Sequence, residues 1–266
     1  DLGLRDERDR LARQGAAVRE AVEGGALHLE YHLVVDVASG EPRAVEALLR
    51  WPDTDGGEID ARSLVALAEA AGRVAELTTL VIEQLCSDLA AWRADGAPAP
   101  EWVSLNLSPT QLAVPGLVDE IARALLAHGL AGPDLSVELP EAAWVASDGA
   151  LDAVMAQLLG LGVRVVLDDV GASVSSLNCI ASAPVTGIKL DRSFFFRDEP
   201  PALVVVRAVV GVARDLGLDV VVEGIESLDD LGLARREGST LGQGYAFGHP
   251  VIPAAVPSLF SDAAGD

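Results

Sequence analysis

The chain has 266 residues, with Lys+Arg 19 against Asp+Glu 41, a formal net charge of −22. Half of its residues are hydrophobic, which excludes a disordered or fibrous chain, and α/β barrels reach this length as a single domain. Charge of this sign and size argues against DNA or RNA partners and against adhesion to an anionic membrane, and it repels a phosphate-bearing ligand unless metal cations intervene.

The first segment, 1–24, opens with DLGLRDERDRLARQ, without Met or a signal-peptide pattern. It reads as a linker or helix cut from a longer chain. The folded unit is expected over 25–258 and a short tail over 259–266. Strand-like runs follow in order: LHLEYHLVV (27–35), RAVEALLR (43–50), WVSLNLS (102–108), DLSVELP (134–140), GVRVVLDD (162–169), GIKLD (187–191) and LDVVVEG (218–224). Between them lie helical periods, carried by Leu77, Val81, Leu85, Leu89 and Trp92, and by Leu203, Val206, Val210, Ala213 and Leu216. Strand–helix alternation over this length predicts a mostly parallel α/β sheet, and about eight such strands would close a TIM-type barrel with helices outside. Cys86 and Cys179 stand far apart, so neither a disulfide framework nor a zinc knuckle is indicated, and a cytoplasmic location is the natural reading. The longest uncharged stretches, 170–188 and 238–261, hold too much Ser, Gly, Pro, Asn and Thr for direct membrane insertion.

Polar residues recur at the strand ends. Asn106, Glu138, Asp168, Asp191 and Glu223 sit near C-terminal ends, Glu46 lies within its run four residues before Arg50, and Gln243 follows the last run. A parallel barrel brings such ends to one mouth. Alternation puts Ser104, Asn106 and Ser108 on one strand face and makes Lys189 and Asp191 project together. Carboxylates crowded in this way repel one another without cations. An all-oxygen donor set without His or Cys selects a hard cation such as Mg²⁺ or Mn²⁺, and two ions roughly 3.5–4 Å apart would suit in-line phosphoryl displacement. Lys189 is the candidate for orienting or deprotonating a water nucleophile, with an ordinary salt bridge to Asp191 as the alternative. His28, His32, His128 and His249 form no spacing motif.

The motifs EALLRW (46–51), LNLS (105–108), LDDVG (167–171), IKLDRSF (188–194), VVEGIES (221–227) and GQGYAFGHP (242–250) resemble the bacterial EAL domain, from about residue 27 to 250. The resemblance implies a modified (β/α)₈ barrel that hydrolyses cyclic di-GMP to linear pGpG with one or two Mg²⁺ or Mn²⁺ ions. It implies metal ligation by Glu46, Asn106, Glu138, Asp168, Asp191 and Glu223, with Asp169 at a second ion. Lys189, Glu46 and Gln243 would form the catalytic group. Arg50, Gln243, Glu226, His32 and Leu33 would face the substrate, and Glu141 would steady the loop after Asp169. A homodimer and an upstream sensor or diguanylate cyclase-like domain are further expectations of the resemblance. The chain departs from the family pattern at DVGASVSSL (usually DFGTGYSSL), YHLVVD (usually YQPIVD) and ELPE (usually ELTE). Three readings follow: a phosphodiesterase, a receptor that holds cyclic di-GMP without cleaving it, and a metal-binding scaffold.

Overall fold

The computed structural model describes residues 27–261 apart from 53–57, 60, 95, 97, 172–175 and 197–199. The expected linker 1–24 and the altered loop positions 172–174 lie outside the described residues.

Strand β1 (His28–Asp36) turns straight back into β2 (Pro42–Pro52). The Asp36 carboxylate accepts the N–H groups of Ala38 and Ser39 at 2.9 and 2.8 Å, and Gly40 supplies the left-handed residue at φ 81°. So short a connection has no room for a crossover helix, and the pair is antiparallel, His32 opposite Glu46. A two-residue strand β3 (Glu58–Ile59) caps the overhang of β2. Helices α1 (Ala61–Ala70) and α2 (Val74–Arg93) lead to β4 (Val103–Asn106). Helices α3 (Pro109–Leu112) and α4 (Leu117–Ala127) lead to β5 (Leu135–Pro140), and α5 (Glu141–Ala146) and α6 (Asp152–Gly160) to β6 (Arg164–Val170). Then come α7 (Ser176–Ser182), β7 (Gly187–Leu190), α8 (Arg192–Phe195), α9 (Pro200–Asp215), β8 (Asp219–Val222), α10 (Leu228–Glu237), β9 (Leu241–Gln243) and α11 (Val256–Ser261).

Strands β2 and β4 to β9 run parallel, and β1 pairs antiparallel with both β2 and β9, closing a ring of eight. The modified TIM barrel expected of the sequence is therefore the fold, with one strand reversed. The reversal puts the N-terminal end of β1, with Glu30, at the mouth beside Arg50. Two boundaries change. Gln243 lies within the last strand rather than after it, in a three-residue element too short to carry a pattern. The supposed tail is helical to Ser261, with Phe260 buried in the core.

The helices bury their predicted faces. Leu77, Val81, Leu85 and Leu89 of α2 are all buried, each worth about 1.5–3 kcal/mol as an apolar side chain withdrawn from water. On α9, Val206, Val210 and Ala213 are buried, but Leu216 is 51% exposed. The helix stops at Asp215 and the chain turns through Gly217 at φ 73°, so the helical period no longer governs Leu216. Inside the barrel a smaller cluster of Val34, Ala44, Trp102, Val221 and Leu241 forms a floor beneath the polar mouth.

Candidate functional site

Four strands send carboxylates to one ammonium. Alternation along β7 turns Lys189 into the barrel, where it is 2% exposed. Its Nζ stands 2.7 Å from Glu138 on β5, 2.8 Å from Glu223 just past β8, 3.2 Å from Glu46 on β2 and 3.9 Å from Asp168 on β6. The alternative pairing of Lys189 with Asp191 is corrected by this geometry. Asp191 caps α8, its Oδ1 accepting the Ser193 N–H at 2.8 Å, and it is exposed to the mouth cavity while Lys189 lies deeper among the other carboxylates.

The carboxylates differ in their partners. Glu46 accepts from the side-chain amides of Asn106 at 2.5 Å and Gln243 at 2.8 Å as well as pairing with Lys189. Burial works to raise its pKa, but Lys189 and the two amides together hold it below the ordinary value. Among the described residues, Glu138 and Glu223 accept from Lys189 but from no side-chain amide. Burial, reinforced by neighbouring carboxylates and only partly offset by Lys189, pushes Glu138 up to about 8 and Glu223 up to about 7. The pKa of Asp169 is raised too, first by burial and then by Asp168 and Asp191. One ammonium is too little positive charge for this set.

A cation would find its donors in place. Asp168, Asp169 and Glu223 each offer a carboxylate oxygen within 4.8 Å of the others. Asp169 reaches this position by adopting φ 57°, unusual for a non-glycine residue, with its N–H donating to Asp168 at 2.9 Å. Hard oxygen donors crowded in this way fit a divalent cation of the Mg²⁺ or Mn²⁺ type.

Beyond the acidic cluster opens a cavity of about 350 Å³, lined among others by His32, Glu46, Arg50, Asp191, Glu223 and Tyr245. His32 Nε2 and Gln243 Oε1 are buried there without a hydrogen-bond partner among the described residues. Burial holds the His32 pKa below the ordinary value, so the ring is neutral at pH 7. Arg50 pairs with Glu30 at 2.9 Å on the same rim. Glu226 is 52% exposed and pairs with Arg192 at 3.1 Å. Leu33 does not belong with this group. It alternates with His32 and packs into the outer core, 8% exposed, so its expected place beside the substrate is corrected. Glu141, at the start of α5, is buried and accepts the Gly171 N–H at 3.3 Å, two residues after Asp169. Arg192 and Tyr245 also line the mouth. Neither stood out in the sequence, although each lies within two residues of one that did.

The profile of the EAL domain family matches residues 16–250. The chain is 32% identical over 236 residues to a bifunctional diguanylate cyclase/cyclic di-GMP phosphodiesterase, MucR of Pseudomonas aeruginosa, covering 88% of this chain and 34% of that protein. It is 32% identical over 249 residues to the oxygen sensor protein DosP of Escherichia coli, covering 93% of this chain and 31% of that one. The chain thus spans about a third of the length of these relatives. Among solved structures it resembles the PaMucR phosphodiesterase in complex with c-di-GMP, with a TM-score of 0.82 at 30% identity over 90% of this chain and 98% of that one. The EAL domain of Mycobacterium smegmatis DcpA gives a TM-score of 0.73, also at 30% identity and over the same shares of both chains. With its fold, its motifs and the family profile in agreement over nearly the whole barrel, the chain belongs to the EAL domain family.

Proposed function

We propose that this chain hydrolyses cyclic di-GMP to linear pGpG and depends on Mg²⁺ or Mn²⁺ to do so. The observation that carries the reading is a buried lysine among four carboxylates, one of which, Glu223, both lines the mouth cavity and clusters with Asp168 and Asp169. The relatives named as phosphodiesterases support the substrate, which charge and geometry alone do not specify.

Glu46, Asn106, Glu138, Asp168, Asp191 and Glu223 would hold a divalent cation, with Asp169 at a second one, and such ions would supply positive charge against the phosphate and make water more acidic. Lys189 orients the nucleophilic water, which attacks phosphorus in line with the departing 3′ oxygen. The P–O3′ bond breaks, a P–O bond to the water oxygen forms, one proton of the water ends on the 3′ oxygen, which leaves as the 3′-hydroxyl, and the 5′-phosphate of pGpG results. Glu46 holds Gln243 and Asn106 in place by accepting hydrogen bonds from their side-chain amides. Arg50 contacts a phosphate, while His32 and Glu226 meet base or ribose. Glu141 steadies the turn at Gly171.

Release of pGpG by the purified chain with Mg²⁺ or Mn²⁺, and its loss in chelator, is the expected result. Tight binding of cyclic di-GMP with no product under saturating metal would replace this reading by the receptor one, for which the DVGASVSSL loop is the motive. Failure of cyclic di-GMP to raise the melting temperature would leave a scaffold. The same proposal includes a homodimer, an upstream sensor or cyclase-like domain and a cytoplasmic location. Among the described residues no helix is long and apolar enough to cross a membrane.

A further inference from the structure

We infer that Arg192 is a positioning residue that locks the loop carrying Glu223 and Glu226 to the strand end carrying Asp191. The inference rests on the proposed function for its consequence, and on geometry for its content. Arg192 follows Asp191 directly, and its side chain crosses to the segment after β8. Nη1 donates to the Gly224 carbonyl, Nη2 pairs with Glu226 at 3.1 Å, and Nη1 lies 3.8 Å from Asp230. The guanidinium also lies over the Phe196 ring, 5.3 Å from its centroid.

The aliphatic stem is held as closely as the guanidinium. Gly224 sits at φ 70°, and a Cβ placed there would fall 2.7 Å from Arg192 Cβ and Cδ. The loop can approach the arginine only because residue 224 has no side chain. Asp230 completes the arrangement by accepting the N–H groups of Glu226 and Ser227 at 3.0 and 3.1 Å. One planar cation therefore gathers a carbonyl and two carboxylates from the chain that follows Glu223, next to Asp191, the residue before it. Ion pairs this exposed contribute little to stability. The work of Arg192 is placement of donors that must converge.

Residues that orient the ligands of a metal typically change its affinity by about 10–100-fold when removed. The test is the concentration of Mg²⁺ or Mn²⁺ alone that gives a half-maximal rise in melting temperature, for wild type, Arg192→Ala, Arg192→Gln and Arg192→Lys. Arg192→Ala should need at least about tenfold more metal, with Arg192→Lys between it and wild type. Arg192→Gln, which keeps the stem on Gly224, should match Arg192→Ala and stands in for it if that variant does not fold. Amide exchange over 223–227 should quicken in Arg192→Ala and Arg192→Gln. Wild-type metal midpoints in both variants would overturn the inference and leave the proposed phosphodiesterase standing. If the wild type binds neither metal nor cyclic di-GMP, the functional proposal falls alone. Amide exchange then decides, unchanged protection overturning the clamp and faster exchange upholding it.

Discussion

Lys189 and Glu46 touch each other at 3.2 Å, but they differ in what their loss would remove. Lys189→Ala withdraws the cation that orients water and offsets Glu138 and Glu223. Hydrolysis should fall by about 10²–10⁴-fold, the usual worth of a positioned acid–base group. Glu46→Ala removes a metal oxygen and frees the amides of Asn106 and Gln243. It should abolish hydrolysis and also weaken binding of cyclic di-GMP, measured by titration in Ca²⁺, more than Lys189→Ala does. Equal turnover in the lysine variant would remove its role. The residues of this cluster were legible because polar side chains recur within or at the ends of otherwise apolar strand-like runs. The partners of Lys189 were not, because which residues face it depends on the stagger between strands, and no single run records that. Leu33 was misplaced for the opposite reason, since alternation along its own strand already opposed it to His32.

Elements were legible in proportion to their length. The 20-residue α2 repeats its apolar face often enough to read, and the three-residue β9 does not. The sequence predicts a mostly parallel sheet, and the hairpin of β1 and β2, which has no crossover helix, is where the antiparallel exception falls. On the outside of the barrel, Leu85 of α2 is 1% exposed within the core. Leu85→Ala should lower stability by about 2–5 kcal/mol, read from the urea midpoint, through lost transfer energy and the cavity left behind. Activity per folded molecule should be unchanged, because α2 supplies nothing to the mouth. A loss of turnover at full folding would instead tie that helix to the site.

For the whole molecule, the acidic mouth makes metal, protons and stability one linked equilibrium. Glu138 and Glu223 titrate near 8 and 7 in the metal-free fold, against an ordinary carboxyl value of 4.5. Between that ordinary value and about 8 the folded protein holds protons that the unfolded chain has released, so stability falls as pH rises through this window. Glu46 is shifted downward, and its contribution changes only below the ordinary carboxyl range. In chelator, the urea midpoint should therefore decline from about pH 5.5 to about pH 8.5. Saturating Mg²⁺ should flatten that decline, because bound metal favours the ionised carboxylates and competes with their protons. Other groups titrate over the same range, so the decisive quantity is the difference between metal and chelator at each pH. That difference should grow towards alkaline pH in wild type and shrink in Glu138→Gln, which carries no proton to lose. A difference independent of pH would mean that the carboxylates around Lys189 are already ionised without metal, and that the lysine alone balances them.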